Sequence, residues 1–425
     1  MARLQQQRRM DTLIGAPLCG LLNALARVLG AILRRDHSLK TPPRRILVIK
    51  LVGLGSIIHA THLLQALRER YPDSHLAFLC FRSTRPLVER LPQIDEVLTL
   101  DDSTYGRLLT TVLGWLLHVW RHPYQLVIDL EVHSKFSTIL STLTCARDRA
   151  GFYLITTRFR QGIYTHVVYE NRLRHTQEAY RQLGRALGLT VKVGQPLPPC
   201  LTQQDRDEAN AFLKSEGADG RKLLIVNVNA GELCLERRWS PESFARVMEV
   251  FASRDDVLVV MTGAPSERDY TESVRKLVGA SLQRRIANAA GLHSFGAFLA
   301  LLERADTMLT NDSGPLHLAT SFGTPTVSLW GPETPAAFQP LEGSFRLFWA
   351  EAYCSPCVHR VDAPPCGGAN LCLQLIEWPQ VARAVAELLG VPITVPDVEP
   401  QASHPHPWVA GMVLRASVHM EMPES

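Results

Sequence analysis

The sequence predicts an α/β protein made of two doubly wound parallel-sheet domains, and three observations carry the prediction. Short, wholly apolar, β-branched runs alternate with stretches of helical period, first between residues 44 and 200 and again after residue 220. Strands buried on both faces by flanking helices read this way. A stretch rich in proline and glycine, Pro196 to Pro199 with Gly217 and Gly220, separates the two series and reads as a linker near 200 to 220. The third observation is Asn311 to Leu329, NDSGPLHLATSFGTPTVSL, where a turn, a helix and a strand follow one another with a signal at each boundary.

Composition narrows the class. At 425 residues the chain has room for two separate cores, and 46% hydrophobic against 20% charged residues is the balance of a folded soluble protein. The net charge of +4 is concentrated at the start, where residues 1–43 carry seven Lys or Arg against Asp11 and Asp36, a surplus of five that leaves the remainder at about −1. A globular part without a basic field argues against a nucleic-acid partner. Nine cysteines in a chain of this length are not a disulfide scaffold, which suits a cytoplasmic setting. No small-residue cleavage site marks a secretory signal after the N-terminal apolar stretch.

In order, residues 1–43 are expected to form a basic amphipathic helix. Between Leu13 and Leu33, Gly20, Asn23, Arg27, Gly30 and Arg34 fall on one face, opposite Leu21, Leu22, Leu25, Val28, Leu29 and Leu33, with Arg8 and Arg9 before the helix and Arg34 and Arg35 after it. That pattern suits a helix lying in the plane of an anionic membrane surface; packing on the protein body is the alternative, and Arg27 makes a span costly. Residues 44–200 follow as the first domain. Ile46 to Ile49 is a buried strand, Leu51 to Ser56 a glycine-containing loop, and Ile57, Thr61, Leu64, Leu67 and Tyr71 set a helical period. Further strands are expected near 76–80, 97–100 and 126–130. Ligands in such sheets sit beyond the carboxyl ends of strands, which puts Gly53 to Ser56 and Asp129 to His133 at the rim of a cleft. The second domain, residues 221–378, has strands near 223–228, 257–261, 308–310 and 326–329. A closing helix over 379–391 could return across the cleft, and 392–425 lacks periodicity and reads as a flexible tail.

The turn at Asn311 is suited to an anion. Asp312 and Ser313 are N-cap residue types, Gly314 admits close approach to the backbone, and Pro315 fits a first helical turn because it has no N–H to leave unpaired. Leu316, Leu318, Ala319 and Phe322 give the helix a buried side, and Gly323 ends it. The free N–H groups and positive dipole end at Ser313 and Gly314 bind phosphate without a metal.

Several separated pieces, in this order, resemble glycosyltransferase family 9, the lipopolysaccharide heptosyltransferases: RRILVIKLVGLGSIIHATHLLQALRERYP at 44–72, VIDLEVHSKFS at 127–137, RRWSPESFARV at 237–247, TGAPSERD at 262–269, NDSGPLHLATSFGTPTVSLWGP at 311–332, and the cysteine segment at 354–372. The resemblance implies a GT-B fold, two Rossmann-like domains facing a cleft, with the nucleotide diphosphate sugar held mainly by the second and the acceptor by the first. It implies inversion at the anomeric carbon, no cofactor, ADP-heptose as donor and a lipid-linked glycan acceptor at the inner membrane surface.

The residues fit that chemistry, which needs a stabiliser for the departing diphosphate, a nucleoside contact and a base. Arg237 stands where the family commonly has a lysine and adds a cation on the leaving group. Glu267 matches a family glutamate expected to hold ribose hydroxyls or to orient Arg237. Asp312 reads as cap and positioning residue, and His317, one turn into the helix, as a phosphate donor or a helix-surface histidine. Gly55 is expected to bind substrate, with Asp312, Ser313, Gly314, Pro315, Leu316 and His317, and Ser56 directly after it marks the main departure, because characterised heptosyltransferases have their aspartate base where this chain has Ser56. Serine does not ionise near neutral pH. Either a neighbour takes the proton, with His59 preferred over Asp129, Glu131 and His133, or the chain is a catalytically silent binder of nucleotide sugar or glycolipid. A sugar-nucleotide epimerase is the third alternative. Cys354, Cys357, Cys366 and Cys372 have the count of a structural zinc site, against reduced or partly paired thiols in a packed loop.

Overall fold

The computed structural model describes residues 15–397 apart from 172, 232, 233, 351, 359, 360, 362, 363 and 365. The expected tail from 398 onward, and Arg8, Arg9, Leu13 and Ile14 of the N-terminal stretch, lie outside the described residues. The chain divides into two compact units, Met1–Cys200 and Leu201–Ser425.

The first unit runs α1 (Gly15–Leu33), β1 (Arg45–Ile49), α2 (Leu54–His59), α3 (Thr61–Arg70), β2 (His75–Phe81), α4 (Arg85–Val88), β3 (Glu96–Leu100), α5 (Tyr105–Arg121), β4 (Leu126–Asp129), α6 (Lys135–Leu143), β5 (Asp148–Tyr153), β6 (His166–Tyr169) and α7 (Thr176–Ala186). Its six strands are parallel in the order β3-β2-β1-β4-β5-β6. The register places Ile49 beside Leu79 on one side and Asp129 on the other. Leu47, Ile49, Leu79 and Val127 share one core with Trp115 and Val119 of α5 and Leu140 of α6, so both helices cover the same sheet face.

α1 is docked the opposite way from an ordinary surface helix. Gly15 and Cys19 face the unit, and the Asn23 amide donates to the carbonyl oxygens of Phe159 (2.7 Å) and Gln161. Arg27 Nη2 also donates to Gln161 O at 3.3 Å. Leu21, Leu25, Val28, Leu29 and Ile32 point away, each about half exposed or more. The helix is long and apolar enough to cross a membrane by length and composition.

The second unit runs α8 (Gln203–Ser215), β7 (Lys222–Asn227), α9 (Pro241–Ala252), β8 (Val257–Met261), α10 (Arg268–Arg275), β9 (Ile286–Asn288), α11 (Phe295–Arg304), β10 (Thr307–Asn311), α12 (Gly314–Ser321), β11 (Thr326–Trp330), α13 (Pro335–Phe338), β12 (Phe345–Trp349), α14 (Leu371–Gln374) and α15 (Trp378–Leu389). Its sheet, β12-β11-β10-β7-β8-β9, is also wholly parallel and follows the same winding as the first. α8 corrects the expected linker: Thr202 and Asp205 form a reciprocal cap at its start, and Arg206 pairs with Glu303 of α11 at 3.0 Å. The glycines that suggested a linker, Gly217 and Gly220, follow α8 and take positive φ in the turn into β7. α15 buries Val381, Ala382, Val385 and Leu389 in the second unit's own core beside Phe244, Met248 and Leu329.

Candidate active site

Both sheets reverse their winding between two neighbouring strands, β1 and β4 in the first unit and β7 and β10 in the second. The carboxyl ends of such strand pairs diverge into a crevice where doubly wound sheets bind ligands. Gly55, Ser56 and His59 follow β1, Arg237 follows β7 and Asp312 to His317 follow β10, while Glu267 follows β8; a buried polar side chain bridges the strand ends at each switch point.

In the second unit that side chain is Asn311, the last residue of β10. Its Oδ1 accepts from Trp239 N at 3.0 Å, while its Nδ2 donates to the carbonyl oxygens of Val228 and Asn229, both at 3.1 Å. Three hydrogen bonds from one wholly buried amide therefore fix the loop after β7, including its Arg237 to Trp239 segment, against the end of β10. Trp239 Nε1 donates to Ile376 O at 3.2 Å and anchors the other side of that segment.

Arg237 emerges from this anchored loop with its side chain 22% exposed. Its Nη1 lies 3.4 Å from Asp312 Oδ2 and its Nη2 lies 3.8 Å from Glu333 Oε2. Burial works against the guanidinium charge, but Asp312, Cys234 and Glu333 more than offset it and hold the pKa above the ordinary arginine value. Burial also pushes the Asp312 carboxyl up, and Arg237 draws it back. Among the described residues, Arg237 Nε and Asp312 Oδ2 are buried without a hydrogen-bond partner.

α12 begins immediately beyond. Ser313 is its N-cap residue in extended conformation, without a side-chain cap bond, and its Oγ is 3.3 Å from Thr310 Oγ1. The expected cap role of Asp312 is thus corrected: Ser313 takes the cap position and Asp312 pairs with Arg237. Gly314 and Pro315 form the first turn, Leu316 is fully buried with Trp330 and Leu347, and Gly323, at φ +78°, follows the helix end as predicted. The first amides of a helix have no intrahelical partner, so this turn sets N–H donors and a positive dipole end two residues beyond the carboxylate that holds Arg237. His317 is buried rather than on the helix surface, its ring 6.1 Å from that of Phe338.

Glu267 does not orient Arg237, whose carboxylate partners are Asp312 and Glu333. Its Oε2 accepts from Ala264 N at 2.8 Å and closes the turn after Gly263. This turn is tight. A Cβ on Gly263 would lie 2.7 Å from Nδ2 of Asn229, which donates to Thr262 O and Thr271 Oγ1. Gly263→Ala is therefore expected to displace the Asn229 amide and cost about 1–3 kcal/mol, measured by thermal or urea unfolding; an unchanged midpoint would mean that Asn229 turns aside freely.

In the first unit the bridging side chain is Glu131. Its Oε1 accepts from Leu51 N (2.8 Å) and Val52 N (3.2 Å), and its Oε2 pairs with Lys50 at 3.0 Å. The loop after β4 thereby holds the loop after β1, in which Gly53 takes φ +91° and starts α2. Gly55 is buried in the first turn and Ser56 is half-buried, its carbonyl accepting from the Tyr180 hydroxyl at 3.2 Å. The expectation for His59 is corrected by burial. The residue is 2% exposed, its Nδ1 is 3.2 Å from the Gln177 amide nitrogen, and its ring stands edge-on to His175 at 5.1 Å. These contacts hold the ring inside the unit, against Gln177 and His175. Asp129 is fully buried and takes bonds from Ser137 Oγ (2.8 Å), the Glu131 amide (2.9 Å) and the Tyr164 hydroxyl, with Arg160 at 3.4 Å. His133 alone of the four base alternatives is exposed.

Of the two alternatives for the cysteines, the described residues bear on the zinc site. Among the described residues no group of three His, Cys, Asp or Glu side chains is placed to hold a metal, and all four thiols are free. Cys372 is turned into the second core, where a Cβ on Gly331 would approach its Sγ to 2.9 Å.

Comparison with known proteins gives the family and the fold. The model of glycosyltransferase family 9 (heptosyltransferase) matches residues 118–366, more than half of the chain. The chain is 25% identical over 308 residues to the lipopolysaccharide core heptosyltransferase OpsX of Haemophilus influenzae, covering 70% of this chain and 82% of that protein. It is 22% identical over 307 residues to a lipopolysaccharide heptosyltransferase 3 of Escherichia coli, covering 70% and 87%. A family 9 glycosyltransferase structure from Veillonella parvula matches with TM-score 0.68 at 25% identity over 81% of this chain and 97% of that one. The E. coli ADP-heptose lps heptosyltransferase II structure has the same fold, with TM-score 0.65 at 20% identity over 81% and 98%. The fold is that of the GT-B glycosyltransferases. The chain belongs to glycosyltransferase family 9, the heptosyltransferase family.

Proposed function

We propose that the protein transfers heptose from ADP-heptose to a lipopolysaccharide or other lipid-linked envelope acceptor, with inversion and without a metal, the second unit holding the donor and the first the acceptor. The observation that carries this reading is Arg237, a buried-side cation held by Asp312 and Glu333 beside the start of α12. As the glycosidic C–O bond breaks, charge accumulates on the diphosphate; the guanidinium and the first-turn amides at Ser313 and Gly314 stabilise it where it forms. These groups supply the positive charge that a divalent ion supplies elsewhere. Glu267 and His317 remain candidates for ribose and phosphate contacts. The choice of heptose rests on relatives named as heptosyltransferases, and ADP on the family resemblance.

The base proposed is His133. It is exposed, and it lies two residues from Glu131, which holds the loop leading to Ser56. His133→Ala is expected to lower the transfer rate by about 10²–10⁴-fold, and adding Ser56→Asp, which restores the carboxylate of the family pattern, to recover most of it. An unchanged rate in His133→Ala would end this assignment. Release of free nucleotide diphosphate from ADP-, UDP- and GDP-sugars, with and without a membrane lipid extract, tests the function as a whole. Acceptor-dependent release from ADP-heptose is expected. Binding without release from any donor would favour the silent binder, the reading that Ser56 supports.

The site of action proposed is the cytoplasmic face of the inner membrane, with α1 as a peripheral anchor lying in the leaflet plane. Crossing the bilayer would break the bonds of Asn23 and Arg27 to Phe159 and Gln161 and carry Arg27 into hydrocarbon.

A further inference from the structure

α5 repeats, on the same unit, the inverted exposure of α1. Its inner side, Trp115 and Val119 with Leu108, Val112 and Leu116, packs into the core over β1, β2 and β4. Its outer side would carry charges in an ordinary surface helix. Instead Tyr105, Leu109, Leu113, Leu117 and Trp120 recur there every three or four residues, each at least half exposed. The helix contains no acidic residue, and its charges are Arg107 near the start and Arg121 at the end. Asp101 lies 3.5 Å from Arg107 and is the acidic neighbour of that end; Asp102 adjoins it.

The two helices that carry these stripes both touch α6. α5 and α6 cover the same sheet face. Trp120 Nε1 donates to Leu143 O at the end of α6 (2.8 Å), and Cys19 of α1 contacts Lys135 O at the start of α6 (3.8 Å). α6 is therefore in contact with both helices whose leucines point outward. We propose that α1 and α5 together form a membrane-docking face, and that its occupant is an anionic lipid leaflet. Three features favour lipid over a second copy of the chain. Cations border the apolar stripes, Arg34 and Arg35 after α1 and Arg107 and Arg121 on α5. Neither helix carries an acidic residue. Tyr105 and Trp120 close the two ends of the α5 stripe with aromatic side chains of the kind that settle at headgroup level. A two-element contact also fits the energetics of interfacial binding, in which a single short apolar signal holds only reversibly.

This inference rests on the reading of α1 as an in-plane anchor, and the experiment separates the two. Full-length protein is co-sedimented with vesicles of equal parts phosphatidylglycerol and phosphatidylcholine, alongside Leu25→Gln/Leu29→Gln in α1 and Leu109→Gln/Leu113→Gln/Leu117→Gln in α5. Each set is expected to weaken partitioning, the α5 set by roughly a hundredfold or more, with turnover of a delipidated acceptor retained as the check on folding. Partitioning lost only in the α1 set would overturn the role of α5 and leave the anchor standing; a wild-type chain that does not bind the vesicles would overturn both. Should the triple variant misfold, brominated lipid is expected to quench wild-type tryptophan emission and Trp120→Phe to remove most of that quench; an equal quench in Trp120→Phe would overturn the proposal. A lipid-independent dimer that the α5 variant dissociates would assign the face to a second copy instead.

Discussion

Replacing Arg237 by alanine is expected to lower transfer by about 10²–10³-fold, the usual cost of removing one preorganised stabiliser of transition-state charge. The loss should fall on kcat more than on KM, because charge on the diphosphate grows only as the bond to the sugar breaks. Arg237→Lys, which keeps the charge on a narrower head, is expected to recover a substantial part. The alanine variant has a second effect. Asp312, 3% exposed, loses its charged partner. Burial already raises that carboxyl, so it will take up a proton more readily, and about 1–3 kcal/mol of stability should go with the pairing. Single-turnover kinetics and thermal melts on the same preparations separate the two effects. A variant that melts early yet turns over at the wild-type rate would show that Arg237 is structural.

The largest expected loss of stability lies in the first unit. Arg160 and Asp129 are both fully buried, and Arg160 also donates to Phe152 O (3.0 Å), Ser134 O (3.1 Å) and Thr138 Oγ1 (3.0 Å). Asp129→Ala would strand a buried guanidinium and leave the Tyr164 and Ser137 hydroxyls without their shared acceptor. Breaking such a pair by removing one member costs about 3–5 kcal/mol, or on the order of 10 °C in melting temperature for a unit of this size. Asp129→Asn keeps the shape and an acceptor oxygen and should lose less. A loss under about 1 kcal/mol in the alanine variant would show that the network relaxes around a vacancy.

Much of this architecture was legible because the physics is local. Val257 to Met261 and Thr326 to Leu329 are apolar enough to read as strands buried on both faces, and Pro315 and Gly323 mark α12 within two residues at each end. The strands that escaped are those whose composition is decided by distant partners. β5 begins Asp148, Arg149, and its charges are satisfied by His37, Arg147 and the carbonyl of Ile163 rather than by water; β9 is three residues long and β12 is an edge. α8 was hidden by the glycines that follow it. At the site, residue types with a chemical role, Arg237 and Ser313, could be picked from the chain, but their partners could not. Nothing local distinguishes Asn311 except an amide at the end of an apolar run, and its three bonds reach 72 to 83 residues back. The burial of His59 and the pairing of Asp312 escape the sequence for the same reason, since both belong to the fold.

The matched winding of the two sheets has a consequence for synthesis. Every strand of the first sheet is supplied by residue 169 and none is borrowed from later in the chain. The first unit can therefore close its sheet on the ribosome while the second is still being translated. The outward leucines of α1 and α5 emerge with that early unit, so on the docking proposed above the nascent chain would reach the leaflet before its second unit exists.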